Sequence, residues 1–233
     1  MKRNALVFDL DGTLVDSIPD LEAALNETLR EVGAPALPRA AVRRMVGDGT
    51  TALVARALAA SGLRESLLAE RLARFLALYE AAPVARSRIY PGVVETLAAL
   101  RREGRRLAIC TNKPQLATLA VLRGLALEDF FAAIIGGDVL PVKKPDPGHL
   151  LGAVAALGAT VGEAAMIGDN EHDVAAAHAA GIPIILVRYG YARVPLSTLP
   201  AEIQIDDFAA LPDALRRLEA LPDHGGADAT QPP

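Results

Sequence analysis

Asp9 and Asp11 stand one residue apart in "VFDLDGTLVDS", at the end of an apolar run. Carboxylates against a hydrophobic strand are costly unless something offsets their charge. Other chemistry-bearing residues follow similar runs. Thr111, Asn112 and Lys113 come after "RRLAIC", Lys143 and Lys144 lie in "PVKKPDP", and Gly168, Asp169 and Asp173 follow "AAMI". In an open parallel α/β sheet, ligands bind beyond the carboxyl ends of the strands, so these groups converge on one crevice. Several carboxylates in one place repel each other and raise each other's pKa. A divalent cation removes that conflict, and an oxygen-only donor set suits Mg²⁺. Asp9 and Asp169 are the expected ligands, with the Asp11 backbone carbonyl as a third. Zinc is not expected, because one cysteine and four scattered histidines show no zinc-ligand spacing.

The elements that must position these groups are short strands alternating with helices. Strand-like runs cover 4–10, 105–111, 132–138, 164–170, 182–190 and 201–207. Amphipathic stretches such as "PGVVETLAALRREG" and "DPGHLLGAVAALG" lie between them and end on Gly, a common helix stop. Near-continuous apolar strands joined by helices predict an α/β fold, a Rossmann-like doubly wound parallel sheet. From Val15 to Arg88 no convincing strand appears. Ile18, Leu21, Leu25, Leu29 and Val32 repeat at helical spacing there, before Gly33. The expected organisation is a core of 1–14 and 89–220, a small helical domain of 15–88 covering the sheet, and a disordered tail at 221–233.

Hydrophobic residues make up 52% of the 233, enough for a substantial core. A net charge of −4 with scattered basic residues argues against a nucleic-acid partner. No uninterrupted apolar stretch is long enough to cross a bilayer, and the first residues show no signal-peptide pattern. One cysteine, Cys110, permits no internal disulfide and points to a reducing compartment, the cytoplasm. Cys110 reads as a buried apolar residue, and His172 and His178 as helix residues facing solvent or the sheet.

The strand-end motifs resemble those of the haloacid dehalogenase superfamily. Its DxDx[TV] motif corresponds to Asp9-Leu10-Asp11-Gly12-Thr13, its Thr or Ser to Thr111, its Lys before Pro to Lys144, and its acidic pair to Asp169 and Asp173. All four occur in order, and the helical insertion after the first motif resembles the family's C1 cap. The resemblance implies covalent phosphoryl transfer with Mg²⁺ held by Asp9, Asp11, Asp169 and Asp173. Asp9 would be the nucleophile and Asp11 the general acid and base. Lys144, Thr111 and backbone N–H groups near Leu10 and Asn112 would hold the phosphoryl oxygens. Asp173 has a second reading, as a cap or salt-bridge partner of the following helix.

The substrate should be decided by the insertion, since the core motifs read only the phosphoryl group. Residues 15–88 contain no Lys and no His, which disfavours the phosphonate-cleaving and sugar-phosphomutase branches. The segments "VGDGTTALVARAL", "YPGV", "TNKP", "KPDP" and "YGYA" resemble the branch that hydrolyses 2-phosphoglycolate. That implies a small phosphorylated metabolite as partner and a monomer or homodimer as the working form. A sugar phosphate such as N-acetylmuramic acid 6-phosphate is the alternative substrate, and a non-catalytic phospho-ligand regulator the alternative class. Gly47 and Gly49 would form the insertion's substrate-facing turn, and Arg43, Arg44 or Arg56 could pair with a substrate carboxylate. Asp48 departs from the branch, which more often has Asn there. An acid near a bound carboxylate is unfavourable unless it points away.

Overall fold

A computed structural model describes residues 2–221 of the chain. The expected tail lies, from residue 222 onward, outside the described residues. The chain begins with β1 (Ala5–Phe8), a fully buried ALVF run. After β2 (Val15–Asp16) come four helices: α1 (Ile18–Arg30), α2 (Arg39–Met45), α3 (Thr50–Ala60) and α4 (Leu68–Ala81). The remainder alternates: β3 (Arg88–Ile89), α5 (Val93–Arg102), β4 (Arg106–Cys110), α6 (Gln115–Gly124) and β5 (Ala133–Ile135). Then follow α7 (Pro147–Ala156), β6 (Ala164–Gly168), α8 (Glu171–Ala179), β7 (Ile184–Val187), β8 (Ile203–Ile205) and α9 (Leu211–Ala220).

Six strands form one parallel sheet in the order β5-β4-β1-β6-β7-β8. The fold class expected from the alternation is therefore present. Side chains alternate between two cores, as strand geometry requires. Leu6, Phe8, Ile109 and Ile167 enter one, while Ala5, Val7, Ala108 and Met166 enter the other. The winding leaves β1 toward β4 and β5, then returns to β6 on its other side. The register sets Phe8 opposite both Ile109 and Ile167. Asp9, Thr111 and Asp169 therefore emerge together at one end of three adjacent strands.

The helical segment packs as its periodicity predicts, with Ile18, Leu21, Leu25 and Leu29 of α1 buried. α1 packs on α4 and α2, and α3 on α4. Sequence inspection missed β2 and β3, which pair antiparallel with Val15 opposite Ile89. Two residues per strand are too few to show a period. The crossing is tied further by Asp20, whose Oδ2 accepts from Ser87 N at 2.7 Å and Ser87 Oγ at 2.6 Å. Among the described residues no helix is long and apolar enough to cross a membrane.

Phe8 anchors the centre, with Phe131 edge-on and Phe208 tilted, each 6.2 Å between ring centroids. Phe8→Ala should cost about 3–5 kcal/mol through lost burial and a cavity. Equilibrium urea unfolding measures this, and a loss below ~1 kcal/mol would contradict the packing described.

Candidate active site

Asp9 leaves β1 with its N–H still donating to Ile167 O at 3.0 Å. Its Oδ1 lies 2.9 Å from Lys144 Nζ, and the same ammonium is 2.6 Å from Asp173 Oδ1. Carboxylate oxygens of Asp9, Asp169 and Asp173 all lie within 4.8 Å of one another, and all three residues are buried. Asp169 Oδ1 accepts from Thr13 Oγ1 at 3.2 Å and Asn170 Nδ2 at 3.0 Å, while Oδ2 accepts from Tyr191 N at 2.5 Å. Gly12, at φ +92°, lies so close that a Cβ there would collide with the Asp169 carboxylate.

Asp173 fulfils its second reading as well as joining the cluster. Its Oδ2 accepts from the N–H groups of Asp169 at 3.0 Å and Asn170 at 3.2 Å, in the capping box that starts α8. The charges are uneven: three carboxylates face one ammonium. Burial pushes Asp9 up from 3.8 to about 6, against the pull of Lys144. Burial, then repulsion by Asp173 and Asp9, holds Asp169 well above the usual carboxylate range. Burial opposes charge on Lys144, but Asp173 and Asp9 outweigh it and its pKa is raised. An all-oxygen, electron-rich, buried set of this kind fits a hard divalent cation.

Asp11 occupies a different charge environment. Its carboxylate oxygens lie 3.1 and 3.2 Å from Lys113 Nζ, outside the three-aspartate cluster. Lys113 is buried and its ammonium lies 4.5 Å from the centre of the Tyr79 ring, on α4. Asp9, Asp11, Thr111, Asn112, Lys113, Lys144, Gly47, Gly49 and His172 all line one cavity of about 40 Å³. The thiol of Cys110 lies buried beneath, its pKa pushed up to about 12, and is unfit as a nucleophile.

The turn between α2 and α3 closes over this cavity through its backbone. Asn112 Nδ2 donates to Gly47 O at 2.9 Å, and Lys143 Nζ donates to Asp48 O at 2.7 Å. Gly49 permits this approach: at φ +89°, a Cβ there would come within 3.0 Å of Asn112 O. Arg43 corrects the sequence reading. It does not line the cavity but donates to the carbonyls of Tyr189 and Gly190 and lies over the Tyr191 ring. Arg44 is exposed, and Arg56 is committed to Asp48 Oδ2 at 2.5 Å and Met45 O at 2.8 Å.

Asp48 is thus no lone acid: Arg56, Arg193 and His172 surround its carboxylate, with His172 Nε2 at 2.6 Å. Burial opposes its ionisation, but the Arg193 and Arg56 hydrogen bonds prevail and hold its pKa below the usual value. His172 also corrects its assignment, since it faces this turn and the cavity. Sequence reasoning gave no role to Lys113, Tyr79, Tyr191 or Asn170. Lys113 had a signal in its position two residues after Thr111. Tyr79 had none, because its spacing with Phe75 is that of any buried helix face.

Fold and site together define a doubly wound α/β enzyme with a carboxylate and lysine cluster at the sheet's carboxyl end. Residues 4–181 match the haloacid dehalogenase-like hydrolase family. A phosphoglycolate phosphatase of Rhodospirillum rubrum is 47% identical over 95% of this chain and 93% of its own. One from Caulobacter vibrioides is 44% identical over 90% of this chain and 89% of its own. A crystal structure described as a predicted phosphoglycolate phosphatase from Haemophilus somnus superposes with a TM-score of 0.88 at 31% identity, covering 92% of this chain and 98% of that one. The chain belongs to the haloacid dehalogenase-like hydrolase family.

The raised acids set a pH dependence. Asp9 titrates near 3.8 unfolded and about 6 folded, so without cation its burial costs stability increasingly as pH rises through that window. A bound cation should reverse the cost, because it takes the ionised form. Added Mg²⁺ should therefore raise the melting temperature at about pH 7.5 and much less at about pH 5. Thermal unfolding with Mg²⁺ or with EDTA tests this, and an equal shift at both pH values would contradict the cluster as the binding site.

Proposed function

We propose that the chain is a Mg²⁺-dependent phosphatase that hydrolyses 2-phosphoglycolate to glycolate and phosphate through an aspartyl-phosphate. The observation that carries this reading is the division of charge. Asp9 is held by Lys144 and Asp11 by Lys113, two adjacent carboxylates in two separate environments. Hydrolysis in two halves needs one carboxylate to attack and another to handle the proton. The relatives' names and the small cavity supply the substrate class.

Asp9 attacks phosphorus while Lys144, hydrogen-bonded to it, orients the attacking carboxylate and faces the phosphoryl oxygens. Thr111 and the backbone N–H groups of Leu10 and Asn112 receive those oxygens. Asp11 delivers a proton to the leaving oxygen, then takes one from the water that cleaves the aspartyl-phosphate. Asp9, Asp169, the Asp11 carbonyl and Asp173 would hold Mg²⁺, which supplies charge neutralisation of the phosphoryl group when bound. Because Lys144 and two N–H groups already bind the Asp173 carboxylate, its part is the least direct. The turn over the cavity excludes water. The single buried thiol accords with a cytoplasmic location, and every residue named in the site comes from one chain, whether the working form is a monomer or homodimer.

Asp9→Asn should lower kcat by at least about 10⁴-fold with little change in melting temperature. Phosphoryl transfer from an isotopically chiral ester should proceed with net retention at phosphorus, the result of two in-line displacements; inversion would exclude the covalent route. In a steady-state panel, kcat/KM for 2-phosphoglycolate should exceed that for sugar phosphates by about 100-fold or more. Equal values would favour the broader sugar-phosphate reading, and no turnover of any ester would favour a binding role.

A further inference from the structure

We propose that Lys113 binds the carboxylate of the substrate and so sets the preference for a phosphate ester carrying an acid one carbon from the ester oxygen. The inference rests on the reading of the substrate as 2-phosphoglycolate and deepens it. In that molecule a single methylene separates the ester oxygen from the carboxylate. Whatever group protonates the leaving oxygen must therefore lie beside whatever group holds the carboxylate. Asp11 is assigned the first role, and the ammonium hydrogen-bonded to it is Lys113, at 3.1 and 3.2 Å.

The other cations at this end are committed elsewhere. Arg43 serves the carbonyls of Tyr189 and Gly190, and Lys143 is exposed, donates to Asp48 O and does not line the cavity. Arg56, Arg193 and His172 converge on Asp48, and Lys144 holds Asp9 and Asp173. Lys113 lines the cavity, is 4% exposed, and has one carboxylate partner among these contacts. An ammonium has three donors, so contact with Asp11 leaves capacity for a second acceptor. The Tyr79 ring below fixes its direction and shields it from water. Burial opposes its charge, but Asp11 and then the Tyr79 side chain outweigh that and hold its pKa above the usual lysine value.

The test compares three esters of similar size: 2-phosphoglycolate, ethyl phosphate and phosphoethanolamine, which present an acid, a methyl group and an ammonium. Wild type should prefer them in that order. Lys113→Met keeps the apolar stem and loses the charge. It should cut the kcat/KM ratio of 2-phosphoglycolate to ethyl phosphate by about 100-fold, mainly through KM, whereas Lys113→Arg should keep most of the ratio. A lysine that only positions Asp11 would depress both substrates alike and leave the ratio intact, which would overturn the inference. No preference in wild type would instead overturn the substrate reading itself. Should Lys113→Met fail to fold, a structure of the Asp9→Asn variant with 2-phosphoglycolate decides: a Lys113 ammonium beyond hydrogen-bond reach of the carboxylate refutes the assignment.

Discussion

Three buried carboxylates share one end of a sheet with a single ammonium, and the surrounding architecture is arranged around that charge imbalance. An unpaired buried charge is among the most expensive features a fold can carry. Lys144 answers part of the cost by bridging Asp9 and Asp173. The rest is met by donors: Thr13, Asn170 and the Tyr191 N–H on Asp169, and the N-terminus of α8 on Asp173. Even so, Asp9 and Asp169 keep raised pKa values. The remaining excess of negative charge is what a divalent cation would take up.

The same sheet end holds a second, balanced pair, Asp11 with Lys113. Asp9 and Asp11, with one residue between them, thus experience different fields, because β1 ends at Phe8 and the chain turns through Gly12 at φ +92° instead of continuing as a strand. The second pair reaches the helical layer through Tyr79, and Asn112 reaches it through Gly47. Helices and sheet therefore share the cavity, and neither alone could enclose it. Asp20 and Tyr191 tie the crossing itself: Tyr191 Oη donates to Asp16 Oδ1 at 2.7 Å and accepts from Ser17 N at 2.9 Å.

The sheet was legible because its strands are continuous apolar runs bounded by Gly, Asp and Pro. The strand-end residues Asp9, Asp11, Thr111, Lys144 and Asp169 were legible for the same reason: polar groups directly after such runs need an explanation. The helical layer could be read from its spacing alone. What stayed hidden was pairing across long separations. Nothing local in Arg43 reveals that its guanidinium serves the carbonyls of Tyr189 and Gly190, 146 and 147 residues away. Nor does Asp48 announce Arg193 and His172 as its partners. The two-residue ladder of β2 and β3 was hidden for a simpler reason, since it is shorter than any period it could display.

The location of the turn's side chains changes where specificity must reside. An insertion over a phosphoryl site is the obvious place to seek residues that read the leaving group. Here the turn meets the core through main-chain carbonyls, glycines and the Asp48 carboxylate, which Arg193 and His172 of the core neutralise together with Arg56. Those carbonyls are taken by Asn112 and Lys143, and no lysine or arginine of the turn lines the cavity. The ammonium proposed to attract the leaving group's carboxylate lies in the core, at the end of β4. There Thr111 lines the cavity, Asn112 holds the covering turn at Gly47 O, and Lys113 pairs with Asp11. On the proposed reading, phosphoryl binding, closure and recognition are drawn from three consecutive residues at the end of one strand, beside the aspartates of β1's end that carry the chemistry. A change of substrate in such a site would require altering that strand end, with the helical layer adjusting chiefly the size of the space above it.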